Sequence, residues 1–124
     1  DHALCIFPAG LVSRRSKGKI RDLDWKKTFV TYARTLDRKV VPIYIDGKLS
    51  PFFYNLYSIR KFFGIKANIE MLYLSNELFK QRNQKITFHI GSSINGKEFH
   101  SELTDYKAAQ EYKKKVYSIK DKTK

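Results

Sequence analysis

The chain has 124 residues with a formal net charge of +13, and 42% of them are hydrophobic and 15% aromatic. This apolar content excludes a disordered basic tail and is enough to fold one domain with a core. No apolar run approaches the ~20 residues that cross a bilayer as a helix. The lone Cys5 excludes a disulfide framework and a cysteine-built zinc site. We therefore expect no bound metal, a small buried thiol at Cys5 and a cytoplasmic location.

The first segment of the chain runs from an apolar stretch into a basic loop. Residues 3–7 predict a buried strand, and residues 7–10, Phe-Pro-Ala-Gly, predict a tight turn. Residues 13–19 then carry two arginines and two lysines. A turn of this kind presents positive charge and backbone N–H groups, which favours binding of an anion such as a phosphate. A solvated basic loop is the alternative, and the residues by themselves slightly favour it.

A helix and a strand are predicted next. Asp24 is placed to cap a helix over residues 25–37, where apolar residues recur at three- and four-residue spacing. The β-branched run at 40–45 predicts a strand covered on both faces, and Pro42 within it indicates a strand end or an edge position. The apolar face of the helix consists of Trp25, Phe29, Tyr32, Ala33 and Leu36.

Ser50 and Pro51 form a strong start signal for a second helix, and Gly64 is a natural stop. This helix carries an aromatic run, Phe52, Phe53, Tyr54, Tyr57, Phe62 and Phe63, which is interpreted first as core packing. Because cations flank it, docking at a membrane interface is the alternative. The apolar stripe of the helix is Phe52, Leu56, Ile59 and Phe63, and the cations that flank the aromatic run are Arg60, Lys61 and Lys66.

The last third of the chain alternates between helix and strand. Residues 68–74 are ambiguous, and Ser75 is predicted to cap a short helix ending near Arg82. Residues 86–90 alternate as a strand, with Ile86, Phe88 and Ile90 on one face. Thr104 is predicted to cap a helix over residues 105–118, and residues 119–124 read as a frayed basic tail.

The order of these elements predicts an α/β fold with a small mixed or parallel sheet flanked by helices. Three strands make only a small sheet, which fits part of a larger domain better than a complete one. We therefore interpret residues 1–118 as part of a larger domain and residues 119–124 as a basic tail.

Several blocks of sequence, in order, resemble a known family. FPAGLVSRR is followed by KGKI, by DLDWKKTFV and by VVPIYIDGKLSPFFY. The chain thus resembles, over about residues 3–95, the lysophospholipid and glycerophosphate acyltransferases, most closely the bacterial branch often labelled hemolysin. That family has a Phe-Pro-Glu-Gly-Thr-Arg-Ser motif and, about 30 residues later, a Val-Pro-Ile strand. The first motif is matched by Phe7, Pro8, Gly10 and Ser13, and the second by Val41, Pro42 and Ile43.

The resemblance implies a glycerophosphate-acyltransferase-like fold and a membrane-associated enzyme, peripheral on the inner face of the bacterial cytoplasmic membrane. It would move a fatty acyl group from acyl carrier protein or coenzyme A to a hydroxyl of a lysophospholipid, a glycerophosphate or an amino-acid lipid. The thioester is a co-substrate, and no other cofactor is implied.

The family motif also implies which residues bind the substrate. Val12 stands where the family has arginine, so we expect Arg14 or Arg15 to replace that arginine as the anion ligand. Ala9 and Leu11 are further departures from the motif. The expected substrate-binding residues are Phe7, Pro8, Gly10, Ser13, Arg14, Arg15, Val41 and Pro42.

No catalytic residue is assigned within the chain. The family's catalytic His-x4-Asp motif precedes the Phe-Pro block by many residues, whereas Asp1 stands only six residues before Phe7. The resemblance therefore implies that residues 1–118 are the C-terminal portion of an acyltransferase domain, and that this half is inactive alone. His100 and Asp105 have the same spacing, but they follow the block and fall at a predicted helix start. His89 is interpreted as a packed or rim histidine.

Two rival functions stay open at this point. Positive charge with interleaved Tyr and Phe also suits a nucleic-acid-binding module, and a non-catalytic lipid-surface protein would share the composition. Because no nucleic-acid motif is present and the aromatic residues follow helical spacing, we expect an anionic membrane surface and no nucleic acid as partner. Self-association through exposed apolar surface is a further expectation.

Overall fold

A computed structural model describes residues 2–16, 18–99 and 102–123, which form helices and short strands in two compact units. Unit 1 comprises Asp1–Ser13, Asp22–Asp46 and Phe88–Lys124, and unit 2 comprises Arg14–Arg21 and Gly47–Thr87. The predicted mixture of helix and strand is confirmed. The strands in the described residues form two separate pairs in place of the single small sheet predicted. In those residues no helix has the length and apolar character to cross a membrane.

Unit 1 is built on helices α1 (Thr28–Thr35) and α4 (Asp105–Ile119), whose apolar faces pack together. The Phe29 ring lies 5.9 Å from Trp25 and 5.8 Å from Tyr112, measured between ring centroids. Such aromatic contacts add directional attraction to the burial of apolar surface. The buried residues of this core are Trp25, Phe29, Val30, Ala33, Phe99, Ala108, Ala109, Tyr112 and Val116.

The predicted N-terminus of the first helix is wrong. Lys27 is the N-cap and makes no side-chain capping bond, while the Asp24 carboxylate accepts a hydrogen bond of 3.0 Å from the Tyr106 hydroxyl. Tyr32 and Leu36, which were predicted to lie on the apolar face of the helix, are exposed. Leu36 lies beyond the last helical residue, so helical spacing does not carry it to the core.

The second sheet pairs β3 (Ile43–Asp46) with β4 (Thr87–Ile90), and an antiparallel bridge joins Val40 to Ile94. Strand β3 begins directly after Pro42, as expected for a residue that cannot donate to a ladder. Burial of β3 on both faces is wrong, since its residues are alternately exposed and half-buried. Phe88 and Ile90 of β4 are exposed, as is Ile86 just before the strand, while His89 is half-buried and packs against Tyr44, in agreement with its interpretation as a packed or rim histidine.

The C-terminal helix follows its prediction closely. The Thr104 hydroxyl accepts a hydrogen bond of 3.4 Å from the Lys107 N–H and so caps α4. The chain continues from α4 into a 3-10 turn at Lys120–Thr123, where the Lys120 ammonium lies 3.0 Å from the Asp46 carboxylate. His100 lies outside the described residues.

Unit 2 joins a short hairpin to a helical segment. Strands β1 (Arg14–Ser16) and β2 (Lys19–Arg21) pair antiparallel. Helix α2 (Pro51–Phe62) is followed by a 3-10 turn at Ile69–Tyr73 and then by α3 (Leu74–Lys80). The Ser50 cap is confirmed, because its hydroxyl accepts a hydrogen bond of 3.3 Å from the Phe53 N–H. The predicted Ser75 cap is wrong, since α3 begins one residue earlier at Leu74.

The buried strand predicted at residues 3–7 is not formed. These residues are exposed and have no regular secondary structure, and the Cys5 thiol is exposed where we expected it to be buried. A strand needs a neighbour to pair its backbone N–H and C=O groups. None of the strands in the described residues supplies one to this segment.

Candidate functional site

The predicted turn at residues 7–10 is present in unit 1. The Gly10 N–H donates a hydrogen bond of 3.0 Å to the Phe7 carbonyl, which closes a four-residue turn with Pro8 at its second position. Gly10 has a φ of +68°, a conformation that a side chain would strain. The Pro8 carbonyl accepts a hydrogen bond of 3.0 Å from the Lys26 N–H, so the turn is tied to the start of the first helical segment.

Ser13 is held by an aspartate that sequence reasoning missed. The Ser13 hydroxyl donates to Asp22 Oδ1 over 2.5 Å, and the Trp25 indole N–H donates to Asp22 Oδ2 over 3.1 Å. The Asp22 N–H in turn donates a hydrogen bond of 3.0 Å to the Tyr117 hydroxyl. Asp22 therefore fixes the Ser13 side chain to the core of unit 1.

Arg14 is a buried member of an ion-pair cluster in unit 2. It is only 5% exposed, and its Nη2 lies 3.2 Å from Glu70 Oε1. Its guanidinium also lies 4.9 Å from the centroid of the Tyr57 ring, a favourable cation–π distance. The Arg14 Nη1 atom has no hydrogen-bond partner among the described residues. The role of Arg14 as an anion ligand stays a prediction.

The carboxylate of Glu70 serves two guanidinium groups at once. Glu70 is fully buried, and its Oε2 lies 2.8 Å from Arg60 Nε in an ion pair, although the pair lacks the alignment of a hydrogen bond. A separate hydrogen bond of 3.2 Å joins Arg60 Nη2 to Glu70 Oε1. A carboxylate buried without such partners would be strongly destabilising, so the cluster explains how unit 2 accommodates Glu70.

Arg15 differs from Arg14 in that its side chain is exposed. Successive residues of a strand point to opposite faces, which explains how neighbouring arginines reach different environments. Arg15 Nη1 donates a hydrogen bond of 3.0 Å to Asn55 Oδ1, and its guanidinium lies 5.8 Å from the Tyr54 ring centroid. Within the part of the chain that the structure describes, these neutral partners leave the positive charge of Arg15 uncompensated and open to an anion.

The Val-Pro-Ile motif lies in unit 1. Val41 is exposed, while Pro42 is buried and its carbonyl accepts a hydrogen bond of 2.9 Å from the Gly91 N–H. The structure thus places six of the eight expected substrate-binding residues in unit 1, and Arg14 and Arg15 in unit 2. Their joint action on a substrate stays a prediction. Within the described ranges, no group of three or more His, Cys, Asp or Glu could hold a metal ion.

A second buried carboxylate, Glu77, anchors the start of α2. It is 1% exposed and accepts hydrogen bonds from the Ser50 N–H over 2.6 Å and from the Ser50 hydroxyl over 2.7 Å. The Lys80 ammonium lies 3.0 Å from Glu77 Oε1. Burial by itself would raise the pKa of Glu77, but these hydrogen bonds and the Lys80 charge outweigh burial and lower that pKa below its usual range.

The lowered pKa of Glu77 predicts loss of stability in acid. The ionised Glu77 carboxylate makes its full contribution to the stability of the folded state above its unfolded-state pKa of 4.5. That contribution disappears as the pH falls through the lower folded-state value. Urea unfolding followed by circular dichroism should therefore show a smaller acid dependence in Glu77→Gln than in the wild type. The same change at the exposed Glu111 is the control, and an unchanged acid dependence in Glu77→Gln would contradict the assignment.

Comparison with known proteins places this chain in a family. A family model described as acyltransferase (Acyltransf_2) matches residues 1–124, and the chain belongs to that family. A lyso-glycine lipid O-acyltransferase of Phocaeicola vulgatus is 47% identical over 119 residues, which are 96% of this chain and 43% of the relative. The enzyme of the same name from Bacteroides thetaiotaomicron is 44% identical over 119 residues, 96% of this chain and 44% of the relative. No solved structure matches this chain.

Proposed function

We propose that the protein transfers a fatty acyl group to a hydroxyl of a lyso-amino-acid lipid with a glycine head group. The observation that carries this proposal is the identity of 47% and 44%, over 96% of this chain, to two lyso-glycine lipid O-acyltransferases. The chain spans less than half the length of these relatives, so the proposed reaction is that of the whole protein. The sequence left a lysophospholipid, a glycerophosphate and an amino-acid lipid open as acceptors, and the similarity to these relatives supports the amino-acid lipid.

The proposed reaction converts a thioester into an oxygen ester. The acceptor hydroxyl oxygen attacks the thioester carbonyl carbon, the C–S bond breaks, a C–O bond forms, and the hydroxyl proton ends on the released thiol. We propose coenzyme A or acyl carrier protein as the thiol. The family resemblance implies that a His-x4-Asp pair supplies the general base. The residues described above would contribute to holding the acceptor.

Arg15 is the best candidate for binding the acceptor head group. A glycine head group acylated at its nitrogen keeps one carboxylate, which a guanidinium can bind through two parallel hydrogen bonds. Among the described residues the exposed Arg15 has only neutral partners, Asn55 and Tyr54, whereas the charge of Arg14 is paired with Glu70. We therefore assign the head-group contact to Arg15 in preference to Arg14.

An acyl-transfer assay tests the proposed function. The full-length protein is incubated with a radiolabelled acyl thioester, of coenzyme A or of acyl carrier protein, and with lyso-glycine lipid. We expect a labelled product whose new acyl group is released by mild alkali, as an ester requires. The proposal fails if no product forms with either thioester, or if the label is transferred to an alkali-stable amide.

The head-group assignment predicts a kinetic change in Arg15→Ala. Loss of an exposed guanidinium that binds a carboxylate should raise KM for the acceptor about tenfold, with little change in the folded structure. The matched control is Arg21→Ala, because Arg21 is an exposed arginine of the same hairpin. Steady-state kinetics on both variants check the prediction, and equal effects of the two substitutions would contradict it.

We propose that the protein works at the surface of the membrane that holds its acceptor, peripheral on the inner face of the bacterial cytoplasmic membrane. The support is chemical. A lyso-lipid acceptor resides in a bilayer, and a net charge of +13 favours a surface rich in anionic lipid.

A further inference from the structure

The positive charge of the chain is concentrated in unit 2. Its segments Arg14–Arg21 and Gly47–Thr87 contain twelve Lys and Arg against two Glu, a formal net charge of +10 out of +13 for the whole chain. Both glutamates, Glu70 and Glu77, are buried and paired with cations. The part of unit 2 that the structure describes therefore exposes lysines and arginines without a single exposed carboxylate.

One short segment of unit 2 combines this charge with exposed apolar side chains. Residues 61–66, Lys-Phe-Phe-Gly-Ile-Lys, are all exposed, and we call them the tip. Phe62 is 85% and Phe63 69% exposed, and their rings lie 5.4 Å apart. Ile65 adds an exposed aliphatic side chain. Of the aromatic run interpreted first as core packing, Phe53 and Tyr54 are buried, whereas Phe52, Phe62 and Phe63 are exposed.

The tip has a defined shape that leaves its aromatic side chains exposed. The Gly64 N–H donates to the Lys61 carbonyl over 3.2 Å, and the Ile65 N–H donates to the Arg60 carbonyl over 3.1 Å. These two bonds form a Schellman motif, in which Gly64 adopts the required φ of +66°. The Arg60 guanidinium donates to the Ile65 carbonyl over 2.8 Å and is itself fixed by the buried Glu70.

We propose that the tip is a membrane anchor for an anionic bilayer. Phe62, Phe63 and Ile65 insert at the boundary between head groups and acyl chains, and Lys61 and Lys66 contact the anionic head groups. This inference deepens the proposed function and rests on it, because an enzyme that acylates a lipid must reach that lipid in its membrane.

The exposed aliphatic side chains of unit 2 favour a bilayer over nucleic acid. Phe rings can stack on bases, but aliphatic side chains gain little from a nucleic acid and much from acyl chains. Exposed aliphatic side chains are frequent in the helical segment of unit 2. They are Ile59, Ile65, Leu72 and Leu78.

Vesicle binding by the full-length protein tests the anchor. Sedimentation with phosphatidylglycerol vesicles and with phosphatidylcholine vesicles, at about 150 mM salt, gives the two partition coefficients. We expect the wild type to prefer the anionic vesicles. The Phe62→Ser/Phe63→Ser variant should bind them at least about tenfold more weakly. The control Tyr32→Ser/Leu36→Ser removes two exposed apolar residues of unit 1 and should change binding less than about twofold.

A second pair of variants tests the charge. Lys61→Gln/Lys66→Gln should weaken binding to anionic vesicles several-fold more than Lys114→Gln/Lys115→Gln, which lowers the net charge equally on the exposed side of α4. Equal losses in the two pairs would overturn the proposal, because net charge and not the tip would then direct binding. Tighter binding of the wild type to an oligonucleotide than to anionic vesicles would also overturn it.

The thermal midpoint Tm tests whether the tip is buried inside the whole protein. Serine at exposed positions 62 and 63 should leave Tm unchanged, and a clear decrease would overturn the proposal, since the two rings would then pack within the fold. Vesicle binding and acyl transfer are separate readouts. If the protein transfers no acyl group but the tip variant loses vesicle binding, only the proposed reaction is refuted. If the protein transfers acyl groups but the tip variant binds vesicles normally, only the anchor is refuted.

Discussion

Replacement of Glu70 by alanine is expected to destabilise unit 2 by about 3–5 kcal/mol, the usual cost of breaking a buried ion pair by removing one partner. Glu70 is fully buried and pairs with both Arg14, at 3.2 Å, and Arg60, at 2.8 Å. Its loss leaves two largely buried guanidinium groups without their counter-charge. It also frees Arg60, which holds the Ile65 carbonyl in the tip.

Urea unfolding measured by circular dichroism gives the free energy of unfolding of the Glu70→Ala variant. Glu111→Ala, an exposed glutamate on α4, is the control and should lie within about 0.5 kcal/mol of the wild type. Glu70→Gln keeps an acceptor but removes the charge, so we expect an intermediate loss. A Glu70→Ala variant as stable as the control would contradict the structural importance of the cluster.

Gly96→Ala is the second substitution with a large expected effect, about 3 kcal/mol or more. A Cβ at position 96 would lie 1.8 Å from the Ala33 carbonyl oxygen, far inside van der Waals contact. Because that oxygen belongs to the backbone of α1, no side-chain rotation relieves the clash. Helix α1 would have to move away from the turn at Gly96–Glu98 and so open the core of unit 1.

Gly47→Ala is the matched control for this substitution. Its added Cβ would meet only the Ile86 side chain at 3.9 Å, and Gly47 has no positive φ. We expect its stability to lie within about 0.5 kcal/mol of the wild type. Thermal unfolding of both variants checks this prediction. Equal Tm values for Gly96→Ala and Gly47→Ala would contradict the close approach of Gly96 to the Ala33 carbonyl oxygen.

Local signals in the sequence predicted local structure well. The caps at Ser50 and Thr104 are confirmed because each depends on a side chain and a backbone N–H three residues away. The turn at residues 7–10 and the start of β3 after Pro42 follow from the restricted backbone of proline and the freedom of glycine. The family was recognised for another reason, the order of several motifs along the chain.

Features that depend on distant partners could not be predicted. The apolar run at residues 3–7 has the composition of a strand, but pairing decides whether a strand forms. Asp24 has a capping residue type, yet its carboxylate binds Tyr106, 82 residues away. Arg14 and Arg15 look equivalent in the sequence. The buried Arg14 differs from the exposed Arg15 in its ion pair with Glu70, which lies 56 residues further along the chain. The one signal in the sequence was the scarcity of acidic residues in unit 2, where Glu70 is one of only two.

The head-group contact of Arg15 is tested most directly by removing the charge from the acceptor. Specificity constants, kcat/KM, are measured for lyso-glycine lipid and for its methyl ester, with the wild type and with Arg15→Ala. We expect esterification to lower kcat/KM about tenfold in the wild type and hardly at all in Arg15→Ala, because the variant lacks the group that senses the carboxylate. An equal penalty in both proteins would show that Arg15 does not bind the acceptor carboxylate.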